Sequence, residues 1–177
     1  ITRVHHAGST RRFSTTVQRG GSTRRFSTAV QRAVRHAGSG IHHAWRWRMA
    51  QTFRELVCWQ LAFELSERVN RLLQSGPAAR DFKFRDQLAD SARSVPRNIA
   101  EGFGRFNPTE IAQFLDYARG SLDETENHLR DAVASSYFPA EAVGPLILFL
   151  TRCRKAIEAW HAYLRSVKDD PRFNQGR

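Results

Sequence analysis

Seven apolar residues near the end of the chain, Leu146, Leu150, Cys153, Ile157, Trp160, Leu164 and Val167, are separated by alternating steps of four and three. A mean step of 3.5 residues keeps side chains on one stripe of an α-helix, and it is the pattern of helices that pack left-handedly at about +20° to their neighbours. A strand repeats every second residue and does not fit. Such a helix must bury its stripe against partners, and the sequence supplies three more amphipathic segments.

The first is expected over residues 52–74, where Val57, Leu61, Leu65, Val69 and Leu72 share a face. Phe53, Trp59, Ala62 and Phe63 widen its apolar arc beyond one stripe. That excess predicts burial on more than one side, by self-association through Trp59 and Phe63 or by a deeper place in one subunit's core. Ser75-Gly76-Pro77 ends the segment. The second is expected over 81–101, with Leu88, Ala92, Val95 and Ile99 on one face. Pro96 lies inside it and predicts a kink, because its ring clashes with the carbonyl of Ala92. Gly102 stands where a helix end favours positive φ, and Asn107-Pro108-Thr109-Glu110 supplies the cap, first-turn proline and carboxylate of a new helix. That third helix is expected over 108–136, with Ile111, Leu115, Ala118, Leu122, Thr125, Leu129 and Val133 inward. Phe138-Pro139 starts the fourth, which runs to about 168, with Gly144-Pro145 expected to bend or delay its first turns. Four such helices with short links form an up-down-up-down antiparallel bundle, an all-α fold.

Ser94-Val-Pro-Arg-Asn-Ile-Ala-Glu-Gly-Phe-Gly-Arg105 and the later Ala118-Arg-Gly-Ser-Leu-Asp-Glu124 resemble motifs of the bacterial four-helix bundle family of 23S rRNA intervening-sequence proteins. Phe53-Arg-Glu-Leu-x-x-Trp59-Gln-x-Ala62 and Gln87-Leu88 fit the same pattern, and the resemblance covers 52–168. It implies a small non-catalytic helical protein, similar to members that assemble as ring-shaped pentamers. It also implies an association with RNA or DNA, because a related branch serves as accessory protein to a retroelement reverse transcriptase. A fold alone does not carry a function, so the residues must be weighed separately. Ser94, Pro96, Asn98, Glu101, Gly102, Arg105, Arg119, Gly120, Ser121 and Glu124 are the motif positions. Two readings stay open for their polar members. Asn98, Glu101, Arg105, Arg119, Ser121 and Glu124 form an interhelical hydrogen-bond network, with Gly120 and Ala92 allowing close approach. Alternatively Arg97, Arg105 and Arg119 present a face to nucleic acid or to a partner protein.

Charge separates the chain into parts. The net charge is +11, yet residues 1–48 hold ten arginines and no acidic residue, while 49–177 hold 18 Lys and Arg against 17 Asp and Glu. The domain division is therefore 1–48, a basic leader; 49–170, the bundle; and 171–177, a loose tail. The leader contains two thirteen-residue copies, starting at Gly8 and Gly21, that agree at eleven positions. Its apolar content is too low to offset ordering entropy, which predicts disorder. Three origins remain open: translated upstream sequence preceding Met49, a targeting peptide, or a genuine tail that grips phosphates by counterion release.

No enzyme is expected. Glu158 and His161 match half of a dinuclear metal motif, but Glu124 and His128 are spaced by four, and the second half is missing. Cys58 and Cys153 fall within apolar runs, where thiols pack as small hydrophobes, and a reducing cytoplasm suits them. Gly102-Phe-Gly-Arg105 lacks the Lys-Ser/Thr of a phosphate loop. No cofactor or metal is expected, and no run approaches the 18 apolar residues of a membrane span.

Overall fold

A computed structural model describes residues 50–169. Four α-helices follow one another: α1 (Val57–Leu72), α2 (Phe82–Phe103), α3 (Pro108–Ala134) and α4 (Ala140–Val167). Short 3-10 turns, Phe53–Glu55 and Pro77–Arg80, precede α1 and α2, and no strand occurs among the described residues. Each helix packs against the next, and α1 also packs against α4, closing the bundle. The pairings run in opposite order along neighbours: Ser91 meets Thr125 while Asn98 meets Ser121, and Asp116 meets His161 while Asp123 meets Arg154. These neighbours are antiparallel. The leader (1–48) and the tail (171–177) lie outside the described residues.

Of the stripe that defines α4, Leu146, Leu150, Cys153, Ile157, Trp160 and Leu164 are buried, and only Val167 at the frayed end is partly open. In α3 the buried line is Leu115, Ala118, Leu122, Thr125, Leu129 and then Ala132, while Ile111 and Val133 are partly buried and pack against the core. In α1, Cys58 and Ala62 join Leu61, Leu65 and Val69 inside the subunit, which accounts for part of the wide apolar arc. Both thiols titrate high, Cys58 pushed up to about 12 and Cys153 also raised, chiefly because burial disfavours the thiolate.

Helix ends correct several expectations. The first helix does not begin at Thr52. Leu56 adopts extended backbone (φ −72, ψ 124) and inserts into the core, so the chain breaks between the 3-10 turn and Val57. Gln60 braces that break by donating from Nε2 to the Arg54 carbonyl at 2.8 Å. Gly76, at φ +76, makes the turn expected before Pro77. Gly102 is no positive-φ stop: α2 continues to Phe103, and Gly104 ends it at φ −74. The glycine is needed for space, since a Cβ on Gly102 would stand 2.8 Å from the Cβ of Phe114 on α3. Gly120 does the opposite of what was expected; an added Cβ meets nothing within 4 Å. It lies on the open side of α3. Gly144-Pro145 does not delay α4, which already starts at Ala140.

Caps fix the links. Asn107 accepts from the Thr109 N–H at 2.8 Å with Pro108 in the first turn, as the sequence pattern predicts. Asp81 caps α2 by accepting from the Phe84 N–H at 3.0 Å, and Tyr137, beyond α3, donates its hydroxyl to the same carboxylate at 2.6 Å. The end of α3 is a Schellman turn made without glycine. Ser136 sits at φ 57, its N–H meets the Val133 carbonyl at 3.0 Å, and the Tyr137 N–H meets the Ala132 carbonyl at 2.9 Å.

Candidate nucleic-acid interface

The motif residues do not gather in one place. On the α2–α3 seam Asn98 Nδ2 donates to Ser94 Oγ at 3.1 Å and approaches Ser121 Oγ at 3.5 Å, and Ser121 donates to Ser94 at 3.0 Å. One turn on, buried Thr125 lies 3.1 Å from Ser91 Oγ and 2.7 Å from the Ser121 carbonyl. Ser94, Asn98 and Ser121 thus form a register-setting network, with Ser91 and Thr125 as members the sequence reading missed. Every buried side-chain nitrogen and oxygen among the described residues has a partner.

Glu101, Arg105, Arg119 and Glu124 are not part of it. Arg105 pairs with Glu101 at 2.7 Å on its own helix and lays its guanidinium 4.8 Å over the Phe114 ring. Arg119 pairs with Asp116 at 3.3 Å, and Glu124 faces His128 at 3.8 Å, both within α3. The interhelical ion pairs lie elsewhere: Arg154 of α4 reaches Asp123 and, at 3.1 Å, Glu126 of α3. Bonding to Asp123 holds the Arg154 guanidinium above its ordinary basicity. Periodicity places Asp123 and Glu126 outside the stripe but does not say which neighbour they meet.

Arg97 belongs to a different surface. It lines a groove between α1 and α2, about 400 Å³ in volume, together with Trp59, Phe63, Pro96 and Ala100. The groove continues into a second hollow of about 690 Å³ that shares Glu67, Asn70 and Arg93 and is bordered further on by Arg71, Arg85 and Asp86. Trp59 and Phe63 stack at 5.1 Å with planes 14° apart, and Phe53 meets Trp59 edge-on at 5.1 Å. The spacing of four in α1 sets the two rings in line, as the same spacing sets Arg93 and Arg97 in line on α2. Phe63 is 47% exposed and the Arg97 side chain 66% exposed. Asp90 stands 3.6 Å from Arg93 and 4.0 Å from Arg97, and Glu67 lines the same groove.

The sequence model of the 23S rRNA-intervening sequence proteins matches residues 54–159. The chain belongs to that family. The match runs from the turn before α1 almost to the end of α4, so the family unit is the bundle itself. No curated protein matches the chain.

In this family member the residues weighed for metal chemistry stay apart. Glu158 is exposed, and His161 turns to Asp116 at 3.5 Å, away from the Glu124–His128 pair. Among the described residues no three His, Cys, Asp or Glu side chains are grouped to hold a metal. No helix among them is long and apolar enough to cross a membrane.

Proposed function

We propose that this family member is a non-catalytic, cytoplasmic binding module whose ligand is RNA or DNA, held on the α1–α2 face. The observation that carries the reading is the meeting, in one groove, of an exposed aromatic pair with Arg93 and Arg97, two cations that share one carboxylate. Residues 50–169 are neutral, with sixteen basic and sixteen acidic side chains, yet 50–105 hold nine basic against seven acidic. The surplus positive charge therefore lies on the half that carries the groove. Phosphate contacts supply much of the affinity in such complexes, so a local surplus matters more than net charge. A chain beginning at Met49 should bind RNA or DNA at low ionic strength. Replacing Arg93 and Arg97 together by glutamate should abolish that binding with the helical signal unchanged. No binding by the Met49 chain at low salt overturns the proposal.

The half-exposed Phe63 favours a second reading, in which the same face buries against another copy of the chain. The bundle would then be an oligomer, a pentamer by family analogy, scaffolding a partner enzyme such as a reverse transcriptase. Trp59 and Phe63 would be its contacts. Interface centres are depleted in charge, whereas Glu67, Arg71, Arg85, Asp86, Arg93 and Arg97 border this groove and would need desolvation. That cost ranks the scaffold second. A monomer in sedimentation at micromolar concentration removes it.

A further inference from the structure

We infer that the α1–α2 groove takes a single strand of nucleic acid by stacking a base on Phe63. The inference rests on the nucleic-acid reading above and specifies its ligand. Phe63 has one ring face against Trp59, which is itself closed off by the edge of Phe53. Phe63 is nonetheless 47% exposed, and its second face would be the open end of the stacked Trp59–Phe63 pair. A base laid on that face continues the stack, and every base has such a face. Arg97 lies across the groove from it, Arg93 one turn along, and Arg71 and Arg85 further on, four cations against the three carboxylates of Glu67, Asp86 and Asp90 along the same track. Arg71 makes no ion pair among the described residues.

Dimensions favour one strand over two. Neighbouring packed helices have axes about 8–10 Å apart, so the furrow between them admits a strand with its bases turned inward but not a duplex. The 16-residue α1 is about 24 Å long, room for a short run at the low end of the ~4–16 nucleotides bound by single-strand folds. Paired bases are already stacked and hydrogen-bonded, and they offer no face to Phe63 without being opened.

The test uses the full chain throughout, so that residues 1–48 contribute equally to every variant. The probes are a fluorescein-labelled oligouridine and a labelled RNA duplex of equal charge. The single strand should bind more tightly. Phe63→Leu keeps the apolar bulk and removes the π-face, and it should weaken oligouridine binding roughly 5- to 100-fold, the loss of one base stack. Phe63→Tyr should recover the binding, and neither change should alter duplex binding. Equal binding of both probes, or an unaffected Phe63→Leu with a weakened Arg93→Gln and Arg97→Gln pair, overturns stacking and leaves the nucleic-acid reading intact. No change in any variant places all binding in residues 1–48 and overturns both. Loss of an oligomer in Phe63→Ala, with binding to both probes retained, also overturns stacking and makes the groove a protein contact.

Discussion

Gly102 of α2 faces Phe114 of α3 at a distance that leaves no room for a side chain: an added Cβ would lie 2.8 Å from the Cβ of Phe114. The atom in the way sits next to the backbone, so relief requires α3 itself to shift. Gly102→Ala should therefore destabilise the bundle by about 1–3 kcal/mol, the usual cost of overpacking. Gly120→Ala should act in the other direction. Its Cβ enters open space in mid-helix, where alanine gains about 0.5–1 kcal/mol over glycine. Thermal melts of the two variants should move apart, one down by several degrees and one slightly up. A fall for both would mean that Gly120 has a packing role.

How far the sequence could be read follows from the range of the forces involved. The stripe of α4 and the cap at Asn107 depend on residues within a turn or two, and both appear where the pattern put them. The break at Leu56 depends on a core pocket formed by distant helices, so no local propensity announces it. Ser136 makes a left-handed helix end without glycine, and Gly102 is needed for Phe114, twelve residues ahead on another helix. The polar motif residues were harder still. Asn98 and Arg105 both lie in the motif run, yet a difference in angle around the axis sends Asn98 into the seam and leaves Arg105 on its own helix's Glu101. The groove was half legible: Trp59 and Phe63 stand out as excess apolar residues, but their meeting with Arg97 requires the helix pairing.

Asp81 ties the start of α2 to the turn after α3 by accepting from Phe84 N–H and from the Tyr137 hydroxyl. The Phe84 bond first, then the Tyr137 bond, hold its carboxyl below the ordinary range, and Asp81 in turn raises the Tyr137 hydroxyl. A carboxyl depressed in the folded state stabilises above its unfolded value, and that contribution fades as pH falls through the folded value. The melting-temperature gap between the native chain and Asp81→Ala should thus be full at neutral pH and narrow below about pH 4. The raised tyrosine gives the converse at the alkaline end. Its contribution persists to about pH 10 and is lost as pH climbs through its folded value. A pH-independent gap would show that the cap is not ionic.

Thr125 and Arg119 separate the seam from the surface. Thr125 is buried and bonded to Ser91 and to the Ser121 carbonyl, so Thr125→Val removes a hydrogen bond at nearly constant volume and should cost on the order of 1 kcal/mol. Arg119 is exposed and paired only within its helix, so Arg119→Ala should change stability by no more than about 0.5 kcal/mol. Chemical denaturation of both variants checks the contrast. A costly Arg119→Ala would return that residue to the interhelical network.

Residues 1–48 should be dispensable for folding and dominant in electrostatics, and one pair of chains tests both. The bundle closes its core within residues 50–169, where every buried polar side-chain atom is partnered. A chain beginning at Met49 should therefore melt at the temperature of the full chain; a loss of several degrees would show that the leader packs on the helices, since about 1 kcal/mol moves melting by roughly 2–8 °C. Binding should divide differently. Ten arginines in 1–48 can each displace a condensed counterion, so the full chain should show a slope of log affinity against log salt of up to about −9 on duplex DNA. The Met49 chain should engage phosphates through the groove arginines, and its slope should be shallow, about −2 to −4 for two to four phosphate contacts. What it retains at high salt should then be the part carried by Phe63. A Met49 chain as salt-sensitive as the full one would put a dense cationic surface on the bundle itself, and that surface could arise only from several copies brought together.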